Sequence, residues 1–389
     1  MNMNNYGLLC GRRTELFSHP SKAEWGYEKE QWDTVAIQYP KDFKEGVKYP
    51  LYVVFHSAGH DVYSTIGCVW GEGNHDIYHV PDDMFGLFLD CRVHADDWWW
   101  GGINALGEGD PSRAGTAKQP VENRCIATVE WMIESYPIDT DRVYAVGNSM
   151  GGSGALGVAM CRGDIFAAIK ANVPAGVRHA ADRCCLDTEA PEGFKIPEPP
   201  VVLDYSSQID DWSRGHEVIY RGMREKKYAF HGFWGEFGHA NNNSEIAKYN
   251  DLIHSLPVMD IKKSEPYPVF VNASTDGVNP WETPDTPDKS GQVNGFFRWE
   301  SICDSADKLE MKLWLTSPDE WETRVELPTE SEAELLVRRV SGFKLGGGES
   351  FRWSLGEQSG ESVADADGRP AIDKITVTRE PQVLVITRA

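Results

Sequence analysis

Three short stretches of the 389-residue chain carry the residue types that acyl transfer through a serine requires. Ser149 sits in "GNSMG" (147–151), between the β-branched run "RVYAV" and the small-residue stretch "GSGALGVAMC". Asp210 and Asp211 sit in "SSQIDDW", at the end of "VVLDYSS", and His239 sits in "GEFGHANNN", just past "YAFHGFW". Such chemistry needs an activated hydroxyl, a base to take its proton, an acid to orient and stabilise that base, and N–H donors for the oxyanion. Each candidate follows a strand-like run, and the carboxyl ends of neighbouring parallel strands are where side chains from different loops meet. Gly147 and Gly151 fit a tight strand-to-helix elbow, in which backbone comes too close for side chains at those positions. The helix after the elbow would aim its N-terminus, and the Met150 N–H with it, at developing negative charge. "HSAGH" (56–60), after the run "LYVVF", offers a second donor from the backbone of Ser57 or Ala58. Either aspartate suits the acid, and either suits the cap of a helix expected over "WSRGHEVIY".

The order Ser, Asp, His is that of α/β-hydrolases. The run "YPLYVVFHSAGH", the elbow "GNSMGG", an acid after the later strand and "GH" after the last together resemble the esterase branch of that superfamily. Nearest are the polyhydroxybutyrate depolymerase-like and the feruloyl or acetyl xylan esterases of carbohydrate esterase family 1, over residues 30–258. Two departures stand out. The usual His-Gly-x-Gly is His-Ser-Ala-Gly here, and the common Gly-x-x-Asp acid loop aligns with "SQID", which selects Asp210 over Asp211. The resemblance implies a serine esterase that works through an acyl-enzyme without a cofactor, with Ser149 as nucleophile, His239 as base and Asp210 as acid. Its substrate would be an ester of a plant-type polysaccharide or oligosaccharide, releasing acetate or a hydroxycinnamate.

Two other readings belong to the same fold: a hydrolase of polyester oligomers or other small esters, and a peptidase of the prolyl oligopeptidase type. The latter usually carries a propeller, and nothing here repeats at blade length. A reading of another class is a noncatalytic carbohydrate-binding protein on an esterase scaffold, using Trp281, Trp299, Trp314 and Trp353; those tryptophans are expected instead in the core or at interdomain contacts.

The substrate pocket is expected around "HADDWWWGG", where Trp98, Trp99 and Trp100 follow the run "MFGLFLDCR" and suit stacking on sugar or phenolic rings, with Trp212, and also Trp70 and Trp234, on other loops. His56 with His60, and His75 with His79, are each four residues apart, but neither pair sits on a clear helix with a third ligand, so no metal site is expected.

The elements that must position these groups alternate between strand-like and helix-like patterns. "WDTVAIQYP" (32–40) and "KYPLYVVFH" (48–56) read as adjacent strands, and "DMFGLFLDCRV" (83–93) as a strand buried on both faces. A helix opens at Pro120, with Val121, Cys125, Val129, Met132 and Tyr136 at helical spacing, and ends before Pro137. After the elbow come the strands "FAAIKANVPA", "VVLDYSS" and "YAFHGFW" and the helices "SRGHEVIYRGMREKK" and "SEIAKYNDLIHSL". This alternation predicts a doubly wound, mainly parallel α/β sheet over residues 1–258. From 259 to 389 short alternating runs, "TRVELPT" among them, predict a smaller all-β sandwich.

Composition limits the partners. The net charge is −22, from 60 acidic and 38 basic residues, which repels phosphate backbones and anionic lipid, so neither nucleic acid nor membrane is an expected partner. No apolar run approaches the ~20 residues that span a bilayer. The first residues show no secretory leader, and the eight scattered cysteines lack a C-x-x-C pair, so free thiols in the cytoplasm are expected, or secretion if a leader has been removed.

Overall fold

In a computed structural model, residues 1–20, 22–27, 32–68, 73–91, 99–100, 117–239, 244–283, 285, 289–318 and 324–389 are described. The chain divides into two compact units. The first is Met1–Gly222 with Phe237–Asn242 and Val258–Asp260; the second is Met223–Glu236, Asn243–Pro257 and Ile261–Ala389.

The first unit contains strands β1 (Asn2–Leu9), β2 (Arg12–Pro20), β3 (Trp32–Gln38) and β4 (Tyr49–Phe55), then helix α1 (Val62–Gly67) and β5 (Phe85–Phe88). After them come α2 (Pro120–Ser135), β6 (Ile138–Asn148), α3 (Met150–Ala159), β7 (Ala168–Asn172), α4 (Arg178–Arg183), β8 (Val201–Ser206) and the start of α5 (His216–Glu225). Its strands lie in the order β1-β2-β3-β5-β4-β6-β7-β8. From β5 to β8 all pairings are parallel, whereas β1, β2 and β3 join antiparallel at one side. Every residue of β5 and β8 is buried, as is β4 after its first residue. Strands buried regardless of alternation need cover on both faces. Helix α3 packs against β4, β6 and β7, and α2 against β6. This is the α/β-hydrolase architecture.

Two features differ from the sequence reading. β3 and β4 are not neighbours, because β5 lies between them. The link from Gln38 to Tyr49 is too long for a tight hairpin and long enough to cross the ~10 Å over one intervening strand. The N-terminal residues, read only for a leader, form the β1–β2 hairpin. Its two-residue turn places Cys10 at φ 49° and Gly11 at φ 77°, both positive as a hairpin turn of the primed type needs.

The second unit begins with β9 (Phe230–Trp234) and α6 (Ser244–Ser255). It continues through β10 (Tyr267–Val271), β11 (Gly291–Val293), β12 (Phe297–Asp304), β13 (Lys308–Leu315), β14 (Glu330–Arg338), β15 (Ser350–Leu355), β16 (Gln358–Val363), β17 (Ala371–Thr378) and β18 (Gln382–Arg388). Two antiparallel sheets, β10-β14-β17 and β12-β13-β18-β15-β16, form a β-sandwich. β13 alternates buried and outward residues, and Phe270 of one sheet stacks on Phe297 of the other at 3.9 Å between centroids.

The run "GQVNGFFRWES" is two strands, β11 and β12, and β11 pairs with β9. Asn294 breaks it at φ 58°, held there by amide bonds to the Phe230 and Phe270 carbonyls. "TRVELPT" holds no strand among its described residues, while β16, polar and half-exposed, gave no apolar signal. Trp281, Trp299, Trp314 and Trp353 are half-buried rather than in the core, the first of the two places expected for them; Trp299 stacks on His231.

Candidate active site

Ser149 links β6 to α3 at φ 56° and ψ −123°, a conformation that side-chain-bearing residues avoid and that stores strain. Its N–H donates to the Asn172 carbonyl at 2.9 Å, and its carbonyl accepts from Ala175 at 3.1 Å, which fixes the elbow against β7. A Cβ at Gly147 would overlap the Gly151 carbonyl, and one at Gly151 the Phe55 carbonyl. Both glycines are therefore required by close backbone approach. Met150 is the first residue of α3, so its N–H has no partner within the helix.

The Ser149 Oγ lies 2.7 Å from His239 Nε2, and His239 Nδ1 lies 2.6 Å from Asp210 Oδ2. All three belong to the first unit, since the chain returns to it at Phe237–Asn242. The Asp210 side chain is 2% exposed and that of His239 35%, so the acid is shielded while the base meets solvent. The other carboxylate oxygen, Asp210 Oδ1, accepts the Trp212 N–H at 2.9 Å and caps the short helical turn Asp211–Ser213. One aspartate thus both contacts the histidine and caps the turn. Asp211 is exposed.

Of the oxyanion candidates, Ser57 is already engaged. Its N–H donates to the Tyr78 hydroxyl at 2.9 Å, and its Oγ, 2.5 Å from that hydroxyl, accepts from the Asn148 amide and donates to the Asn148 carbonyl. This network ties the 56–60 loop to the residue before the nucleophile. Ala58 is exposed beside it. Burial pushes the Tyr78 phenol far above the ordinary tyrosine range, so it stays a neutral hydroxyl. Nothing in the sequence pattern marks Tyr78 for this place, because a buried tyrosine is usual in any core.

The tryptophans separate. Trp212 lies beside the site, half-buried, its ring 6.2 Å from that of His239. Trp99 and Trp100 are 1% and 4% exposed and act as fillers, contrary to the stacking expected of them. Trp99 packs on Gly154 and donates to the His56 carbonyl, and Trp100 lies against His179. Trp234 is buried in β9. Trp98 and Trp70 lie outside the described residues. His60 and His75 approach to 5.2 Å between rings, but no group of three or more His, Cys, Asp or Glu is placed to hold a metal among the described residues. None of the eight cysteines is in a disulfide.

The prolyl oligopeptidase family matches residues 114–181, a segment that runs from α2 through the elbow into α4. No curated protein matches the sequence. Among solved structures, an S-formylglutathione hydrolase from Agrobacterium tumefaciens is similar at 13% identity over 62% of this chain and 93% of its own, with a TM-score of 0.42. A ferulic acid esterase is similar at 16% identity over 63% and 98%, with a TM-score of 0.41. A fluorophosphonate-binding serine hydrolase from Staphylococcus aureus is similar at 11% over 63% and 98%, with a TM-score of 0.39.

Proposed function

We propose that the chain is a serine hydrolase of carboxylic esters, acting through an acyl-enzyme. The observation that carries this is the continuous path from Ser149 Oγ through both ring nitrogens of His239 to Asp210, at 2.7 and 2.6 Å. Ser149 Oγ attacks the ester carbonyl as His239 Nε2 takes its proton, and Asp210 holds the imidazolium through Nδ1–H. The tetrahedral oxyanion is met by the Met150 N–H and by the Ala58 N–H, since that of Ser57 is taken by Tyr78. His239 returns the proton to the leaving alcohol, and water discharges the acyl group by the same steps in reverse.

Within that class, the substrate is an acetyl or feruloyl ester of an oligosaccharide or polysaccharide. What supports this finer reading is the motif resemblance at "YPLYVVFHSAGH", "GNSMGG", an acid after the later strand and "GH", together with a half-exposed Trp212 beside the catalytic histidine, suited to stacking on a ring. The partial match to the prolyl oligopeptidase family favours a second reading, a peptidase. A panel of p-nitrophenyl acetate, methyl ferulate, acetylated xylo-oligosaccharides, aliphatic esters and prolyl anilides, ranked by kcat/KM, separates the two. Ester turnover with carbohydrate or feruloyl preference supports the proposal. Anilide cleavage at higher kcat/KM transfers it to the peptidase, and glycan binding without any turnover makes the chain a binding protein.

A further inference from the structure

His239 sits on a loop, and its imidazole must be held to a fraction of an ångström to span two partners at once. Two buried side chains grip the backbone of that loop from opposite ends. Ser207, fully buried just after β8, presents its Oγ to the N–H groups of Phe237 at 3.3 Å and Gly238 at 3.2 Å, and also to Ile209 N–H in its own loop at 3.3 Å. Three amide hydrogens thus converge on one oxygen with two lone pairs, so at least one bond is shared. On the far side, the buried Asn74 donates from Nδ2 to the His239 carbonyl at 2.9 Å. Asn74 is itself fixed: its Oδ1 accepts from the Tyr205 hydroxyl at 2.7 Å, and its carbonyl accepts from the Asn172 amide at 3.0 Å. Asn172 in turn accepts the Ser149 N–H on its own carbonyl.

We propose that Ser207 and Asn74 are positioning residues that clamp residues 237–239 between the acid loop and the nucleophile elbow, so that the His239 ring is presented to Asp210 and Ser149 together. The inference rests on the triad reading above. The Ser207 hydroxyl makes a direct tie between the acid loop and the histidine loop. The loop contains Gly238 at φ 63°, which gives it a turn that a few amide bonds can hold or release.

The test measures kcat and KM on p-nitrophenyl acetate, and the rate of fluorophosphonate labelling, at a temperature where each variant is folded by circular dichroism. Ser207→Ala and Asn74→Asp should each lower kcat and the labelling rate by about 10- to 100-fold while KM stays within about twofold, because a displaced base harms the chemical step and not ground-state binding. Tyr205→Phe, which frees the Asn74 amide to turn but keeps the ring, should cause a smaller loss of the same kind and decides the matter if Ser207→Ala does not fold. In a His239→Ala background, Ser207→Ala should cause no further loss of the residual rate. A fall in melting temperature alone with parental kcat, or an equal loss in the His239→Ala background, would overturn the positioning role. Full activity in His239→Ala by itself would instead remove the triad reading, a different outcome from either.

Discussion

Among the described residues of the first unit, serine, histidine and aspartate side chains meet around His239 and again around His216, and of these two groupings the first has the form of a catalytic device. In the first, Ser149 and Asp210 contact opposite ring nitrogens of His239, so a proton taken from serine leaves an imidazolium whose other N–H already faces the acid. In the second, Ser206 Oγ lies 2.6 Å from His216 Nε2, with Asp204 on the same side: 3.3 Å from that Oγ and 3.7 Å from the same Nε2. His216 Nδ1 donates instead to the Ser213 carbonyl at 2.6 Å. His216 and Ser206 are fully buried and Asp204 nearly so, whereas the His239 side chain is 35% exposed. The same three residue types therefore brace the turn between β8 and α5 in one place and face solvent in the other. What separates them is the distribution of partners over the two ring nitrogens, and access.

The comparison predicts opposite kinds of damage. Ser149→Ala should fold as the parent does and lose about 10³- to 10⁶-fold in kcat, the remainder coming from binding and the oxyanion donors. Asp210→Asn should cost up to about 10⁴-fold in kcat with little change in KM, since an amide favours the wrong tautomer of His239. Its stability should change little, because asparagine also caps the Asp211–Ser213 turn. In the buried grouping the effects move to stability. His216→Ala should destabilise by about 3 kcal/mol in denaturant melts, because the buried Asp204 loses its cationic partner. Its kcat, measured where it is folded, should fall far less than in either active-site variant. If instead His216→Ala removes activity without loss of stability, the two groupings have exchanged roles.

Acidity gives a finer test. Burial works most strongly, to lower the His216 pKa, but Asp204, the Ser213 carbonyl and Asp210 together outweigh it and hold the imidazolium above the usual histidine range. A value raised in the folded state means that the pair's contribution is fully present below the unfolded value near ~6.5 and is lost as pH rises through the higher folded value. The second unit has the opposite case. Burial, foremost, lowers His231 to about 4, so its neutral ring contributes stability above the unfolded value that is lost as pH falls from ~6.5 towards 4. His216→Gln should flatten the decline of melting temperature on the alkaline side, and His231→Gln the decline on the acid side. The smallest effect is expected at Asp211, which is exposed and neither caps nor contacts His239: Asp211→Asn should change stability by less than about 0.5 kcal/mol and leave kcat at the parental value.

What the sequence made legible was what local physics dictates. Gly147 and Gly151 are needed wherever a strand turns at once into a helix, and Val121, Cys125, Val129 and Met132 are all buried on α2 as their spacing requires. Continuous apolar runs marked the parallel strands from β4 to β8. Sequence neighbours are not always spatial neighbours, so β5 entering between β3 and β4 was not legible. Nor was the fate of single hydrogen bonds. The Ser57 N–H meets Tyr78, Asp210 Oδ2 meets His239, and Trp99 fills space above Gly154, all through contacts between residues distant in the chain.

The central claim is that Ser149, and not Ser206, is a nucleophile activated by His239. The most direct test is to treat the folded chain with a fluorophosphonate and map the modified peptide by mass spectrometry. The expected result is one phosphonyl group on Ser149 Oγ, none on Ser206, loss of esterase activity in step with labelling, and no labelling of Ser149→Ala or His239→Ala. Labelling at another serine with activity retained in Ser149→Ala, or ester turnover that continues in a fully labelled protein, would contradict it.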